Sequence, residues 1–340
     1  MLASRALRLA EPAHPESSGA ISLDSGYAFP GIFPDFIEAA TRALTTYRSE
    51  SLQYGKPFGL LPLREWISAY MNEDGVQLTP DEIIVVNGAK NGIDLLCRLF
   101  TEEGDAVVVT APTYFTAIPI FRSFGLAFVE IAQDEGGMDV EALARELAQR
   151  KMRGDRAPRF IYDVPDFHNP TGITMSRARR EALLALASSC GIPIIEDSPY
   201  RKLRFEGTAQ PSLKALDREG IVFALGTFSK LLAPGLRVGW IGGTRHMLQR
   251  VARLKSDGGT CPLTQRIIFE FCKDGGLQAH LEHARVAYAS HRDLMVATLS
   301  RELPEVEFKV PNGGYYLWVK FPPSVDTEAL AQRAYREGVS

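Results

Sequence analysis

Short apolar segments alternate with helical segments along most of the chain, and this alternation restricts the possible folds more than any other feature. Six segments of strand length are apolar almost throughout, at residues 83–86, 106–109, 128–131, 159–162, 192–196 and 221–225. Such segments are typical of strands buried on both faces, and the helices between them predict a mostly parallel sheet that helices cover on both sides. Ligands bind these sheets beyond the carboxyl ends of the strands, so we expect the functional residues in the loops that follow the strands.

The pattern changes after residue 240, where we predict helix to about residue 303 with a break at Asp257-Gly258-Gly259. Residues 306–310 and 315–321 then predict a hairpin, followed by a helix at residues 326–337. We interpret this end of the chain as a smaller α+β domain. The expected parts are an N-terminal arm with part of the small domain at residues 1–55, a large domain at 56–285 and an incomplete C-terminal small domain at 286–340.

Composition limits the classes of function. The 340 residues are 45% hydrophobic and 23% charged, as in an ordinary globular protein. The formal net charge is −3 without a basic block, and no apolar run approaches the roughly 18 residues of a membrane span, so we expect neither nucleic acid nor membrane as a partner. The four cysteines lack metal-ligand spacing, so we expect no metal site and favour free thiols in the cytoplasm. The residues before Ile21 are expected to form a short helix or arm.

The loop after the sixth segment carries one lysine and, seven positions later, one arginine. Its sequence is Thr227-Phe228-Ser229-Lys230, and Arg237 ends the segment Pro234-Gly235-Leu236-Arg237. A lysine amine can form a Schiff base with an aldehyde, while a guanidinium group and nearby hydroxyls can bind a phosphate dianion. The arrangement suits an aldehyde cofactor that carries a phosphate. On these residues alone, a surface lysine and arginine near a strand end are the alternative.

Three other loops contain groups that could serve the same cofactor. Gly88-Ala89-Lys90 lies between a strand and a helix start, where free amides can bind phosphate, although a tight turn explains the glycine as well. In Asn169-Pro170-Thr171-Gly172, the asparagine can donate to a ring oxygen, or the segment is an ordinary turn. Asp197 can keep a ring nitrogen protonated and Tyr200 can reach a phenol oxygen; a helix N-cap is the alternative for Asp197.

Taken together, these loops resemble those of the fold-type-I pyridoxal phosphate enzymes, the class I/II aminotransferases, over residues 21–340. The chain looks most like the subgroup of 2-aminoadipate, aromatic and branched-chain aminotransferases, which is related to the effector domain of MocR-type regulators. The segments that carry the likeness are Gln53-Tyr54-Gly55 with Leu63-Arg64, residues 196–200 with residues 203–207, and Phe228-Ser229-Lys230 with residues 234–237. The resemblance implies an α/β fold whose large domain has a mostly parallel, seven-stranded sheet, a smaller α+β domain, and pyridoxal 5'-phosphate as the cofactor.

The resemblance also implies roles for individual residues around the cofactor ring. Lys230 would be the Schiff-base lysine and the general base, and Asp197 would be the partner of the pyridine nitrogen. Asn169 and Tyr200 would contact the ring hydroxyl oxygen, and Tyr114 would stack on the ring. By the same likeness, the catalytic residues are Lys230, Asp197 and Tyr200.

Further roles concern the phosphate, the substrate and a second subunit. The implied phosphate ligands are Gly88, Ala89, Lys90, Thr227, Ser229 and Arg237. Tyr54 resembles the tyrosine that reaches the phosphate of the other subunit, which implies a homodimer with composite sites. Gly26 resembles a loop glycine that lies against the substrate, where Asn169 would also be found.

Several features depart from the family pattern. His168 stands where the subgroup usually has glutamine, and we expect a structural role, with tuning of the ring or substrate as the alternative. Lys90 replaces a usually neutral side chain and is expected to add charge for the phosphate. Residues 257–261 also differ, which bears on contacts with the partner subunit. Family members carry a late arginine for the substrate α-carboxylate; we expect the sequence to stop short of it.

The resulting prediction is an aminotransferase that moves an amino group between an α-amino acid and a 2-keto acid. Two alternatives are open. The same cofactor supports elimination, decarboxylation or oxidation of an amino acid, because it acts as an electron sink whichever bond breaks. A non-catalytic sensor domain, as in MocR-type regulators, would need a DNA-binding segment before Ile21.

Overall fold

The computed structural model describes residues 21–23 and 25–340, so most of the expected N-terminal arm lies outside the described residues. A large sheet carries helices on both faces, and a smaller region follows it. The strands are β1 (Ile83–Val86), β2 (Ala106–Ala111), β3 (Ala127–Asp134), β4 (Gly137–Met138), β5 (Ile161–Asp163), β6 (Ile194–Asp197), β7 (Val222–Thr227), β8 (Gly239–Gly242), β9 (Glu307–Phe308) and β10 (Val319–Lys320). The helices are α1 (Ile37–Thr45), α2 (Arg48–Leu52), α3 (Leu61–Asn72), α4 (Ala89–Phe100), α5 (Ile118–Ser123), α6 (Val140–Arg153), α7 (Arg177–Cys190), α8 (Leu213–Leu216), α9 (Arg245–Leu254), α10 (Pro262–Cys272), α11 (Gly276–Glu302) and α12 (Thr327–Arg336).

The large sheet has the strand order β1-β8-β7-β6-β5-β2-β3-β4. The pairs from β7 through β6, β5 and β2 to β3 are all parallel. Strand β8 is antiparallel to both β1 and β7, so β1 runs in the same direction as β7. The carboxyl ends of β1, β2, β5, β6 and β7 therefore lie along one edge of the sheet, which confirms the predicted α/β class and brings the loops after these strands together.

Two strands extend the sheet beyond the six predicted segments. The two-residue strand β4 turns back against the end of β3 and adds an eighth strand to the seven-stranded pattern. Strand β8 was not predicted, because glycines at both of its ends disfavour a strand in isolation. These glycines are required by packing: a Cβ at Gly239 would lie 2.7 Å from the Gly226 carbonyl oxygen and 3.1 Å from the amide nitrogen of Ala89.

Successive residues of the strands pack into two apolar layers, one on each face of the sheet. In β2, Val107 belongs to the layer under α4, while Val108 belongs to the layer under α6 and α7. Helix α4 lies so close to the sheet that a Cβ at Gly92 would be 2.9 Å from a methyl carbon of Leu225. This contact fixes the height of α4 above the sheet, and therefore also the position of the helix N-terminus beside the loop after β7.

The end of the chain forms the helix and hairpin that the sequence predicted, with shorter strands. Long helix α11 leads to β9 and β10, which pair antiparallel over two residues each. Gly313, in the turn between them, forms a β-bridge with Arg204, which lies in the connection from β6 to β7. Ile21 pairs with Val339 through a parallel bridge, so the first described residues lie against the last ones.

Candidate active site

Loops from the carboxyl edge of the sheet enclose a cleft of about 590 Å³. The residues that line it are Ala89, Lys90, Tyr114, Val164, Asn169, Asp197, Pro199, Tyr200, Thr227, Ser229, Lys230, Pro234 and Arg237. The structure thus brings together residues that are more than 140 positions apart in the sequence.

Lys230 follows the end of β7 by three residues and extends its amine into the cleft. The amine donates a hydrogen bond to the carbonyl oxygen of Gly26, and it lies 5.3 Å from the centre of the Tyr315 ring. Burial, and to a smaller extent the positive charge of Arg237, lowers the pKa of Lys230 from 10.5 to about 8. A substantial fraction of the amine is therefore neutral near pH 8, as a nucleophile or a base requires.

One end of the cleft is rich in donors for an anion. Gly88 precedes the first turn of α4 with φ of 81°, a conformation that glycine adopts readily. Arg237 lies directly over it: a Cβ at Gly88 would be 2.9 Å from Nη2 of Arg237. The hydroxyl of Thr227 donates to that of Ser229 at 3.0 Å and accepts from the Ser229 amide at 3.1 Å. Helix amides, a guanidinium and two hydroxyls form a donor set that fits a phosphate.

The other end of the cleft holds buried polar atoms without protein partners. Asp197 is the last residue of β6 and is 2% exposed; its Oδ2 accepts from the Tyr162 hydroxyl at 2.8 Å, whereas Oδ1 has no partner among the described residues. The side-chain oxygen and nitrogen of Asn169, which is 1% exposed, also lack described partners. Leaving a buried polar group unsatisfied costs about 1–3 kcal/mol. These atoms therefore indicate a site for a polar ligand.

The electrostatics of Asp197 follow from its burial. Burial raises its pKa from 3.8 to about 6, and the hydrogen bond from Tyr162 acts in the opposite direction. Because Asp197 ends a strand and no helix begins there, the helix N-cap alternative does not hold. A positively charged group placed against Oδ1 would favour the ionised carboxylate. The groups that line the cleft therefore fit pyridoxal phosphate, which carries a basic ring nitrogen and a phosphate.

Aromatic side chains surround the end of the cleft that contains Asp197 and Asn169, which we call the ring end. Burial raises the pKa of Tyr114 to about 12 and that of Tyr200 well above its usual value, so both phenols stay protonated at neutral pH. The hydroxyls of Tyr200 and Tyr316 are hydrogen-bonded, and their rings meet edge to face with centroids 5.9 Å apart. Tyr315 contacts Lys230 as described above and donates to the hydroxyl of Tyr288 at 2.8 Å.

Sequence reasoning missed Tyr162, Tyr315 and Tyr316. Tyr162 lies inside a predicted apolar strand, where its ring alone accounts for its burial. Tyr315 and Tyr316 lie in the predicted hairpin, and only the folded chain brings that hairpin over the loop that contains Gly172, whose Cβ would lie 3.0 Å from the Tyr316 carbonyl oxygen. The usable signal was the pair of adjacent tyrosines directly after Gly313-Gly314.

The other predicted residues lie at or outside the border of the cleft. Gly26 faces Tyr316 and Lys230, since a Cβ there would lie 2.2 Å from the Tyr316 hydroxyl oxygen and 3.6 Å from Nζ of Lys230. Tyr54 is 89% exposed and does not line the cleft of its own chain. His168 is 3% exposed and lies outside the lining; its Nε2 is 3.8 Å from Oδ1 of Asp163. Burial lowers the pKa of His168 to about 3, so the ring is neutral.

Comparison with known proteins identifies a family. A model of the family described as aminotransferase class I and II matches residues 17–340. Aromatic-amino-acid aminotransferase 1 of Thermococcus litoralis is 35% identical over 331 residues, which are 96% of this chain and 79% of the relative. The crystal structure of Pyrococcus horikoshii kynurenine aminotransferase, in complex with PMP, KYN as substrates and KYA as products, is similar with a TM-score of 0.91 and 35% identity, over 95% of this chain and 81% of that one.

Similarity also extends to a protein of a different description. YdfD of Bacillus subtilis, an uncharacterized HTH-type transcriptional regulator, is 33% identical over 322 residues. The match covers 94% of this chain but only 66% of the regulator.

Among the described residues, no helix is both long enough and apolar enough to cross a membrane.

Proposed function

The chain belongs to the class I and II aminotransferase family and is a pyridoxal phosphate-dependent enzyme that moves an amino group between an α-amino acid and a 2-keto acid; from this premise we propose that Lys230 is the residue that holds the cofactor covalently. The observation that carries the proposal is the position of the Lys230 amine in one cleft with atoms of Asp197 and Asn169 that have no partner in the described part of the chain. The lowered pKa of Lys230 supports the proposal, because only the neutral amine attacks an aldehyde.

Pyridoxal phosphate supplies an aldehyde for covalent attachment and a ring that accepts electrons from the substrate Cα. In our proposal, Lys230 would hold this group through its side-chain amine, at the position that a substrate amine would also need to reach. When it is not attached to the cofactor, the Lys230 amine would act as the general base that moves the proton of the substrate Cα. Burial and the charge of Arg237 keep this amine partly neutral, as a general base requires.

We propose that the ring end of the cleft positions the cofactor for this proton transfer. The carboxylate of Asp197 would face the ring nitrogen and keep it protonated, and Asn169 with Tyr200 would contact the ring hydroxyl oxygen. Tyr114 would stack on the ring. Three buried side-chain atoms of Asp197 and Asn169 have no hydrogen-bond partner among the described residues. They support these roles, because each would gain a hydrogen bond with the ligand.

At the opposite end, we propose a phosphate site. Its ligands would be the amides at the start of α4, contributed by Gly88, Ala89 and Lys90, and the side chains of Thr227, Ser229 and Arg237. The closeness of Arg237 to Gly88 supports this arrangement, since one dianion can contact both the helix N-terminus and the guanidinium. The exposed Lys90 side chain would add positive charge at the entrance.

We propose a homodimer in which Tyr54 reaches the phosphate of the partner subunit. The 89% exposure of Tyr54 supports this role, because its ring is available to a second chain. Other large apolar side chains of the same N-terminal region are also exposed: Ile37, Leu44, Leu52 and Leu61. Gly26 and Asn169 would border the substrate, because Gly26 contacts Lys230 on the open side of the cleft.

Domain boundaries, location and partners form the remaining part of the proposal. We propose residues 56–285 as the cofactor-binding domain, with residues 1–55 and 286–340 in the small domain; the bridge between Ile21 and Val339 supports joining the two ends. The four free cysteines favour the cytoplasm and its reducing conditions. Amino acids and keto acids would be the partners, within amino acid metabolism, and the net charge of −3 favours no nucleic acid.

The reaction is tested by incubating the purified protein with a panel of amino acids and 2-oxoglutarate. Transamination predicts that the cofactor absorbance moves to the pyridoxamine form while the matching keto acid is released. Ammonia or carbon dioxide release without that change would favour elimination or decarboxylation instead. Lys230→Ala serves as the control, because it should abolish each of these signals.

A further inference from the structure

Tyr162 lies behind the cleft, and its hydroxyl contacts the carboxylate that faces the cleft. In the parallel pair of β5 and β6, Tyr162 is opposite Ile195, and Asp197 is two residues further along β6 on the same face. The tyrosine ring spans this diagonal, so that its hydroxyl donates to Oδ2 of Asp197 at 2.8 Å. Tyr162 is fully buried.

The two carboxylate oxygens of Asp197 differ in their hydrogen bonding. Oδ2 is occupied by Tyr162, while Oδ1 is buried and has no partner among the described residues. We propose that Tyr162 is a positioning residue, which fixes the carboxylate plane of Asp197 so that Oδ1 faces the ring nitrogen of the cofactor. This inference rests on the role of Asp197 in the proposed function.

The charges around Asp197 agree with this role. Tyr162 lowers the pKa of Asp197 through its hydrogen bond, and the negative charge of Asp197 in turn raises the pKa of the phenols of Tyr114, Tyr162 and Tyr200. Burial and the negative charge of Asp197 raise the pKa of Tyr162 well above its usual value, so Tyr162 remains a donor at every pH where the protein is studied. Its hydrogen bond favours the ionised carboxylate and opposes the effect of burial on Asp197.

Packing alone is the competing explanation for Tyr162. Its ring meets that of Phe121 edge to face, with centroids 5.4 Å apart. Tyr162→Phe keeps this ring contact and removes only the hydroxyl. A purely packing role therefore predicts that the properties of Asp197 do not change in this variant.

The experiment measures cofactor affinity of the full chain as a function of pH, in the wild type and in Tyr162→Phe, Asp197→Asn and Tyr70→Phe. Affinity is determined from cofactor absorbance during titration of the cofactor-free protein, so no turnover is needed. Tyr70→Phe is the matched control, because Tyr70 is also a buried tyrosine and lies outside the cleft. Ionisations of the free cofactor are common to all variants and cancel in the comparison.

We expect Tyr162→Phe to weaken cofactor binding about tenfold, as for the loss of one hydrogen bond to a charged group. The acid limb of its affinity profile should move to higher pH, because the Asp197 carboxylate loses a donor that favours its charged form. Tyr70→Phe should reproduce the wild-type profile. A wild-type profile in Tyr162→Phe, together with a changed profile in Asp197→Asn, would overturn the inference and leave the proposed function intact.

A wild-type profile in Asp197→Asn would overturn both, because the role of Asp197 itself would then be wrong. If Tyr162→Phe does not fold, 3-fluorotyrosine at position 162 keeps the ring and the hydroxyl but makes the phenol a stronger donor. The acid limb should then move to lower pH. An unmoved limb in that protein would contradict the positioning role.

Discussion

The two ends of the cleft are prepared for a ligand in opposite ways. At the ring end, Asp197 and Asn169 are buried and keep three side-chain atoms without described partners. At the phosphate end, Arg237 is exposed, and the hydroxyls of Thr227 and Ser229 satisfy each other. Leaving such buried atoms unsatisfied costs about 1–3 kcal/mol each, so a ligand that pairs with them gains about that much free energy at the ring end. Variants at the ring end should therefore impair chemistry as well as affinity, whereas variants at the phosphate end should mainly reduce affinity.

Lys230 lies between the two ends, and its replacement should have the largest effect. We expect Lys230→Ala to fold and to bind the cofactor without a covalent bond. Turnover should fall by at least about 10⁴-fold, because the nucleophile and the general base are lost together. Borohydride reduction followed by mass spectrometry measures the covalent bond. Lys90→Ala, in the same cleft, is the control that should keep it, and wild-type absorbance in Lys230→Ala would show that another amine holds the cofactor.

Asp197→Ala should have the next largest effect and should separate the two ends most clearly. Removing one partner of a buried ion pair costs about 3–5 kcal/mol, so we expect proton removal from the substrate Cα to slow by about 10²–10⁴-fold. Exchange of the Cα hydrogen for deuterium, followed by NMR at saturating cofactor, measures this step. The phosphate should stay anchored in the variant. An unchanged exchange rate would mean that the ring nitrogen does not depend on Asp197.

The difference between the two ends also decides what the sequence could predict. Lys230, Arg237 and Asp197 were predicted because each follows a recognisable apolar strand, and the carboxyl ends of parallel strands meet at one edge of the sheet. The contact of Tyr162 with Asp197 depends on the register between β5 and β6, which the segments do not reveal separately. Strand β8 was missed for a related reason. Its glycine at position 239 is required by close contacts with the neighbouring strand β7 and with Ala89, which only the folded chain brings together.

Arg237→Gln should produce a smaller effect that falls mainly on affinity. Losing hydrogen bonds from a charged donor is expected to weaken cofactor binding by about 10–100-fold, while turnover at saturating cofactor changes little. Titration of cofactor-free protein at two salt concentrations measures the loss. Arg253→Gln, on an exposed position of α9, is the matched control for a change of net charge. A large fall in turnover at saturating cofactor would contradict the prediction that the phosphate end mainly determines affinity.

The smallest expected effect connects the two ends through Lys230. Its amine attacks an aldehyde only when neutral, so the rate of covalent attachment should rise with pH and level off above about 8, where the pKa of Lys230 lies. Arg237 is the second cause of that lowered pKa after burial. In Arg237→Gln the pKa should therefore rise slightly, and the plateau should begin at higher pH.

This shift is best measured with pyridoxal, which lacks the phosphate, because the loss of a phosphate ligand then cannot affect the rate. Stopped-flow absorbance gives the attachment rate at each pH for the wild type and for Arg237→Gln. Thr227→Val, which changes the phosphate site without changing its charge, should keep the wild-type midpoint. Equal midpoints in the wild type and in Arg237→Gln would mean that burial alone sets the pKa of Lys230, and that the guanidinium acts on the phosphate but not on the amine.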